Sequence, residues 1–274
     1  MTTILAVNGD WHVNDTNGLC PPRFRRERDS THHPDKFQRA IWTGWLEYWD
    51  VVAQYKKKLK SPVVGVFNGD LGDINSHSKS QLISLLKNDI QRAMADVASP
   101  ALEVTDYNVV IRGTEAHVGG CGELEEWFAD DISAEPSPEG QASWWIWRAE
   151  IEGVRIHATH HPPTITKLPN KRGQAVARMC ERLASEYDIY GWEKKPQLAF
   201  WSHVHWSARG YEMGIEGWTV PPWKGMDSYT HRLGITLPSP VGGLICIVDK
   251  GAWEVKQFIR RPPRLRGTTW TIPS

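Results

Sequence analysis

The stretch ILAVNGDWH, residues 4–12, is the clearest guide to the fold. Its apolar start predicts a buried strand that ends at Asn8, and Gly9 permits the tight turn that follows. Residues two apart on an extended backbone point the same way, so Asp10 and His12 can offer their side chains to one place. The stretch therefore predicts a strand that runs directly into a candidate site.

Carboxylates and histidines follow predicted strands at several further points along the chain. The segments are GDWH at 9–12, GDLGD at 69–73, GTEAH at 113–117, HATHHPP at 157–163 and SHVH at 202–205. In an open α/β sheet, sites form at the carboxyl ends of the strands. We therefore expect these five segments to converge on one crevice.

Helical periodicity separates the early strands. From Phe37 to Leu59, apolar residues recur every three or four positions, which predicts an amphipathic helix of about six turns with a core-facing aromatic stripe. A second helix is predicted from a cap at Asn75 and Ser76, and a third over about 171–188. From Trp144 onward, strands dominate. This order predicts an α/β core joined to a second sheet.

Composition limits the class of protein. The 274 residues are enough for a single domain that needs no disulfides, and the four scattered cysteines form no C-x-x-C pair. Because no leader is evident, we expect reduced thiols in a cytoplasmic protein. No apolar run approaches the ~20 residues of a membrane span.

Charge and tryptophan content bear on the partner. Basic and acidic residues both total 32, so no overall positive field favours nucleic acid. The basic stretch IRRPPRLR, residues 259–266, keeps nucleic acid as an alternative, although a solvated tail is the simpler interpretation. Among the 15 tryptophans, Trp11, Trp206 and Trp223 lie near the motif segments and are candidates for stacking on a substrate ring. The oligomeric state stays open.

The donor types favour metal ions. There are seven candidate ligands. One is a donor from the third strand end, and the other six are Asp10, His12, Asp70, His160, His203 and His205. Oxygen and nitrogen donors without thiolate suit Mn, Fe, Zn or Ni rather than Cu(I) or an iron–sulfur cluster. Seven ligands are too many for one zinc with an open position, so two ions that share a carboxylate are expected.

Taken in order, the motifs resemble those of the calcineurin-like metallophosphoesterase superfamily, which run D-x-H, G-D-x-x-D, G-N-H-[DE], H-x-P and G-H-x-H. The matching residues are Asp10 and His12, Gly69, Asp70 and Asp73, Gly113 and His117, His160 and Pro162, and His203 and His205. The resemblance covers about residues 10–205. It implies an α/β fold, namely a four-layer αββα sandwich of two mixed β-sheets flanked by helices.

The resemblance also implies how the site works. One divalent or trivalent ion would be held by Asp10, His12, Asp70 and His205. The second would be held by Asp70 as the bridge, His160, His203 and a donor from the third strand end. A hydroxide between the ions would attack phosphorus, and His117, oriented by Asp73, would act as the general acid. The implied activity is hydrolysis of a phosphodiester or phosphomonoester.

The third motif departs from the family pattern. Where the family has Gly-Asn-His, this chain has Gly113-Thr114-Glu115-Ala116-His117. Glu115 is the better donor by charge and is the favoured replacement for the asparagine, with Thr114 as the alternative. A helix-cap role for Glu115 is also consistent with the sequence. The histidine that follows His160, His161, is a further candidate ligand or substrate contact.

The sequence also predicts a single domain and leaves two alternative functions open. One domain over 1–274 would carry a helical insertion at about 19–60 and an active-site flap at about 221–240. Besides the phosphoesterase, two alternatives remain. One is a nuclease that uses the same chemistry on DNA or RNA, and the other is an inactive binding module that keeps its metals.

Overall fold

The structure is a computed structural model that describes residues 2–27, 30–74, 81–166, 168–191, 194–226 and 239–261. Its helices are α1 (Lys36–Leu59), α2 (Lys87–Leu102), α3 (Glu115–Val118), α4 (Glu123–Asp131) and α5 (Arg172–Tyr190), with a short 3-10 helix at Pro169–Lys171. A two-stranded hairpin, β2 (Phe24–Arg25) and β3 (Thr31–His32), precedes α1.

The strands form two five-stranded mixed sheets. Sheet 1 has the order β12 (Ala252–Arg260), β11 (Val241–Asp249), β1 (Thr3–Asn8), β4 (Val63–Asn68) and β5 (Tyr107–Ile111). Sheet 2 has the order β6 (Trp147–Ile151), β7 (Val154–Thr159), β8 (Leu198–Trp201), β10 (Ile215–Thr219) and β9 (Ala208–Glu212). The strands β1, β4 and β5 are parallel to one another, as are β7, β8 and β10.

The two sheets pack face to face on a shared apolar layer. Leu5 and Val7 of sheet 1 belong to the same buried cluster as Ile156 and Phe200 of sheet 2. Side chains alternate across a strand, so Ile4, like the other outward residues of β1, packs on the opposite face instead. This explains why the first strand is buried along its whole length.

Helices cover both outer faces. The outer face of sheet 1 shares its buried cluster with α1, α2 and α4, whereas α5 packs on residues of β8 and β10 in sheet 2. The layers are therefore helix, sheet, sheet and helix. The predicted four-layer αββα sandwich is confirmed. Among the described residues, no helix is long and apolar enough to cross a membrane.

The first helix agrees with its prediction. Its stripe of Ile41, Trp45, Tyr48 and Val52 is buried, and Asp35 caps the start by accepting the N–H of Gln38. As the crossover between the parallel strands β1 and β4, α1 forms part of the core layer. The described residues of 19–60 thus include the strands β2 and β3 and this core helix.

The second helix differs from its prediction. It begins at Lys87, after Leu86, and Leu85 is 88% exposed rather than core-facing. Leu82 forms an isolated antiparallel bridge with Asp15 in the loop after β1, so the backbone at Leu82 is extended rather than helical. The proposed cap at 75–76 lies outside the described residues.

The three tryptophans proposed as stacking surfaces are buried. Trp11 and Trp223 are 0% exposed and Trp206 is 6% exposed. The ring of Trp11 packs edge-on against Trp45 and Phe67 at centroid distances of 5.2 Å, and its Nε1 donates to Asn8. The stacking prediction was wrong, because these rings fill the core behind the strand ends instead. Of the expected flap, residues 227–238 lie outside the described residues.

Candidate metal centre

The loops that follow β1 and β4 run side by side. Asp10 donates its N–H to the carbonyl oxygen of Gly69 over 2.8 Å, and His12 donates to that of Asp70 over 2.9 Å. The loop after β5 approaches so closely that a Cβ at Gly113 would lie 2.2 Å from the backbone nitrogen of Asp70. Only glycine fits there, so three strand ends meet at one edge.

Five of the predicted ligands have a positive φ although none is glycine. They are Asp10 (51°), His12 (46°), Asp70 (53°), His203 (68°) and His205 (52°). The left-handed region is uncommon for residues that carry a side chain, and such strain clusters at functional sites. The surrounding contacts must therefore hold these turns in place.

One group of donor atoms joins the first and last motif segments. His12 Nε2 lies 3.2 Å from His205 Nε2, and Asp10 Oδ1 lies 3.3 Å from the same atom of His205. The other carboxylate oxygen of Asp10 accepts the backbone N–H of His203 over 3.1 Å. Ligand atoms of Asp10, His12 and His205 all lie within 4.8 Å of one another, close enough for one ion.

A second group is centred on Asp70. Its Oδ2 lies 3.1 Å from His160 Nε2 and 3.9 Å from His12 Nε2, so this carboxylate touches both groups. The Thr114 hydroxyl lies 3.1 Å from Asp70 Oδ2 and 3.1 Å from His203 Nδ1. The structure thus brings Asp10, His12, Asp70, His160, His203 and His205 together.

Backbone contacts fix the orientation of His160. Its Nδ1 lies 2.8 Å from the carbonyl oxygen of Asn68, an atom that can only accept a hydrogen bond. Nδ1 therefore carries a proton, and Nε2 is the nitrogen directed at the donor group. This tautomer is the one that a metal-binding histidine requires.

Glu115 and Thr114, the two donors considered for the third strand end, lie in different surroundings. Glu115 is exposed in the first turn of α3, and no group of potential ligand atoms among the described residues includes it. Thr114, at the N-cap of that helix, instead donates its backbone N–H and its hydroxyl to Asp70. Successive helical residues point about 100° apart, so the helix that starts at Thr114 turns Glu115 to solvent.

The proposed acid lies beside the donor groups. His117 Nδ1 is 3.0 Å from Asp73 Oδ2, and the ring of His117 packs edge-on against His12 with centroids 4.5 Å apart. Burial alone lowers the pKa of His117, but the hydrogen bond to Asp73 and the charge of Asp70 outweigh it and raise the pKa above its ordinary value. The two residues that the resemblance implies as the acid and its partner are therefore in contact.

Two buried carboxylates, Asp10 and Asp70, lie against histidines. Asp10 is 0% exposed and Asp70 is 1% exposed, and among the described residues neither pairs with a lysine or arginine. Burial raises the pKa of each carboxyl, but His205 beside Asp10 and His160 beside Asp70 bring both pKa values below the usual range. Buried anions need compensating positive charge. The residues present therefore fit metal ions.

The five motif segments share one position relative to the two sheets. Segments that carry the five motifs end at one edge of two face-to-face mixed sheets, with helices outside. This is the four-layer αββα arrangement that the sequence resemblance implies. In this fold the shared edge of the sheets holds the candidate metal centre.

Comparison with solved structures found distant likenesses. No known protein family and no curated protein matches the chain. A hypothetical protein from Pyrococcus horikoshii OT3 aligns with a TM-score of 0.47 and 8% identity, covering 96% of this chain and 89% of that one. A single mutant of Vps29 from Entamoeba histolytica aligns with a TM-score of 0.42 and 9% identity, covering 95% of this chain and 100% of that one. A novel archaeal phosphodiesterase aligns with a TM-score of 0.40 and 10% identity, covering 94% of this chain and 99% of that one. Likenesses this weak carry no conclusion about activity or partners.

Sequence reasoning missed a buried carboxylate that supports this candidate metal centre. Glu125 of α4 accepts the N–H of Leu71 over 3.0 Å and the N–H of Gly113 over 2.5 Å. Burial and the charge of Asp70 raise the pKa of Glu125 to about 7. It lies on the buried face of α4 with Leu124 and Phe128. A carboxylate in an apolar helical stripe was the signal available in the sequence.

A buried ion pair beside the site was also missed. Lys224 Nζ lies 3.0 Å from Asp15 Oδ2, with both side chains almost fully buried. Next to it, the backbone N–H of Trp223 donates to the carbonyl oxygen of Asp10, and the backbone N–H of Gly225 donates to the carbonyl oxygen of Asn17. The described start of the expected flap is therefore held against the loop after β1 by two backbone hydrogen bonds and this ion pair.

Proposed function

We propose that this chain is a metal-dependent phosphoesterase that hydrolyses a phosphodiester or phosphomonoester with two metal ions. The observation that carries the proposal is Asp70, a buried carboxylate that pairs with no lysine or arginine among the described residues and faces His160 at 3.1 Å and His12 at 3.9 Å. One carboxylate between two sets of imidazoles is the arrangement that a pair of ions sharing a ligand requires.

The assignment of ligands follows the two donor groups. Asp10, His12, Asp70 and His205 would hold one ion. Asp70, His160 and His203 would hold the other, with Thr114 next to it. Mn, Fe, Zn and Ni all suit this set of oxygen and nitrogen donors. Bound ions would supply an activated water nucleophile and neutralise charge on the phosphoryl oxygens.

His117 would protonate the leaving oxygen. Its Nδ1 is engaged by Asp73, so Nε2 is the nitrogen left to face a substrate, and a quarter of the side chain is exposed. A carboxylate partner stabilises the protonated ring and fixes its orientation, which are the properties a general acid needs. Asp73 is in turn a positioning residue, because it acts through His117.

One assay tests the reaction class. Bis-p-nitrophenyl phosphate and p-nitrophenyl phosphate are offered to the chain with added Mn, Ni, Zn or Fe, and release of p-nitrophenol is measured. Hydrolysis that disappears in Asp70→Asn but persists in the exposed control Asp131→Asn supports the proposal. Failure to hydrolyse either ester with any metal, in a chain shown to bind two ions, supports the inactive binding module instead.

The nuclease alternative needs a separate measurement. Most of the basic stretch 259–266 lies outside the described residues, so it gives no structural support for a polymer substrate. Binding to a labelled oligonucleotide across a range of salt concentrations distinguishes the two substrates, since only a polymer held through many phosphates gives a steep salt dependence. A flat dependence together with ester hydrolysis favours a small phosphate ester.

A further inference from the structure

The rebuilt third motif leaves the second ion one ligand short. We infer that His161 supplies it, so that three imidazoles, those of His160, His161 and His203, hold this ion together with Asp70. The inference rests on the proposed function and specifies the second ion's site. It replaces both donors considered from sequence at the asparagine position, Glu115 and Thr114.

Distances around the Thr114 hydroxyl carry the argument. Oγ1 of Thr114 lies 3.1 Å from Asp70 Oδ2, 3.4 Å from His160 Nε2, 3.3 Å from His161 Nε2 and 3.1 Å from His203 Nδ1. Four donor atoms from three separate segments therefore surround one point. His161 is as close to that point as His160 is, although the family motif assigns only His160.

The spacing matches a shared coordination shell. Donors about 2.1 Å from one ion stand about 3.0 Å apart at right angles and about 3.4 Å apart at tetrahedral angles. Within the proposed set, Asp70 Oδ2 lies 3.1 Å from His160 Nε2, which falls in that range. Ligand atoms of His160, His161 and His203 also lie within 4.8 Å of one another.

Local structure holds His161 near its neighbours. Its ring centroid lies 4.9 Å from that of His160 and 4.8 Å from that of His203. Pro162 and Pro163 follow it, and a residue before proline is restricted to extended backbone. The backbone at His161 therefore has little conformational freedom to lose on binding, and its exposed side chain lies at the solvent side of the group.

The chemistry favours an imidazole over the other candidates. A neutral threonine hydroxyl is a weak ligand, and Glu115 is turned to solvent at the start of α3. Imidazole nitrogens suit Zn, Fe and Ni, whereas Mn prefers oxygen donors. Three imidazoles at the second ion therefore predict that this site prefers Zn, Fe or Ni to Mn.

Metal stoichiometry tests the inference directly. Wild type, His161→Ala and the control Glu115→Gln are loaded with zinc, and bound metal is measured by elemental analysis and calorimetric titration. We expect two ions in wild type and in Glu115→Gln. In His161→Ala the first ion should stay, and the dissociation constant of the second should rise about 100-fold, at the upper end of what loss of a supporting residue does.

Rescue keeps the test independent of simple damage to the loop. In the His161→Ala background, Thr114→Asn restores a family-type donor and should recover the second ion, while circular dichroism confirms that each variant is folded. Second-ion affinity equal to wild type in His161→Ala overturns the inference. If activity then falls, His161 contacts substrate instead. Wild type that binds two ions without hydrolysing any ester refutes the proposed function and leaves this metal assignment standing.

Discussion

Asp73 Oδ2 lies 3.0 Å from Nδ1 of His117 and 3.5 Å from Nδ1 of His12. One buried carboxylate thus orients two imidazoles that we assign to different tasks, a proton donor and a metal ligand. The carboxylate comes from the loop after β4, the first imidazole from α3 and the second from the loop after β1. Any change at Asp73 should therefore affect both tasks.

Loss of His117 should affect chemistry more than metal binding. We expect His117→Ala to keep both ions and to lose about 100- to 10,000-fold in turnover with esters that have poor leaving groups, since those need a proton most. Esters of p-nitrophenol should lose much less. Turnover across a series of aryl and alkyl phosphates measures the effect, and an equal loss for every leaving group would contradict the role.

Glu125 should prove necessary for the geometry of the metal centre. Glu125→Gln leaves one of the two N–H groups, of Leu71 or Gly113, without an acceptor. We expect a loss of about 1–3 kcal/mol in the free energy of unfolding and a metal affinity weaker by about 10- to 100-fold. Urea unfolding and metal titration give the two values. Glu123→Gln, an exposed change on the same helix, should match wild type in both.

Removal of metal should destabilise the fold. Asp10 and Asp70 have no lysine or arginine partner among the described residues, so bound cations would compensate their buried charge. At a metal concentration 100 times the dissociation constant, binding adds about 2.7 kcal/mol. Thermal unfolding with and without a chelator should show a lower Tm after chelation. The difference should be lost in Asp70→Asn, and an unchanged Tm in wild type would contradict the charge argument.

His157 should make stability depend on pH. It is 4% exposed in β7, and burial together with nearby Arg148 lowers its pKa to about 3. Between about pH 6.5 and 3 the unfolded chain binds a proton that the folded chain does not, so stability falls as pH falls.

The expected loss from His157 between pH 7 and pH 5 is about 2 kcal/mol. Its replacement in His157→Phe should remove that share of the pH dependence, as measured by urea unfolding at both values. His33→Ala, at an exposed histidine, serves as the control and should keep the wild-type dependence. A His157→Phe protein as pH-sensitive as wild type would show that this ring is not the source.

The ion pair of Lys224 and Asp15 should show strong coupling. Both side chains are buried at a separation of 3.0 Å, so Lys224→Met leaves an uncompensated carboxylate and should reduce the free energy of unfolding by about 3–5 kcal/mol. Asp15→Asn in the same chain should restore part of the loss. A double-mutant cycle by urea unfolding measures the coupling. The exposed pair of Arg182 and Glu186 should give under about 1 kcal/mol.

Local sequence patterns were enough for the main elements and for the candidate ligands. The apolar run before Gly9 and the spacing of Ile41, Trp45 and Tyr48 depend on neighbours in the chain, and both were predicted correctly. The motif segments at five strand ends followed from the same reasoning. Strand and helix periodicity are properties of short stretches, so they can be inferred without knowing what packs against them.

Long-range contacts decided which side chains face the site. Charge favoured Glu115, but the approach of Gly113 to Asp70 places the start of α3 so that Thr114 faces the donors and Glu115 faces solvent. His161 joins its neighbours only because the segments of β5, β7 and β8 meet at one edge.

The same distinction applies to Glu125 and to the tryptophans. A buried carboxylate on α4 acquires a role only when Leu71 and Gly113 bring their N–H groups to it. Trp11 and Trp223 became core rather than binding surface because α1 packs over the strand ends. Residue type and spacing determine what a side chain can do, whereas packing between distant segments determines which partners it meets and whether solvent or substrate can reach it.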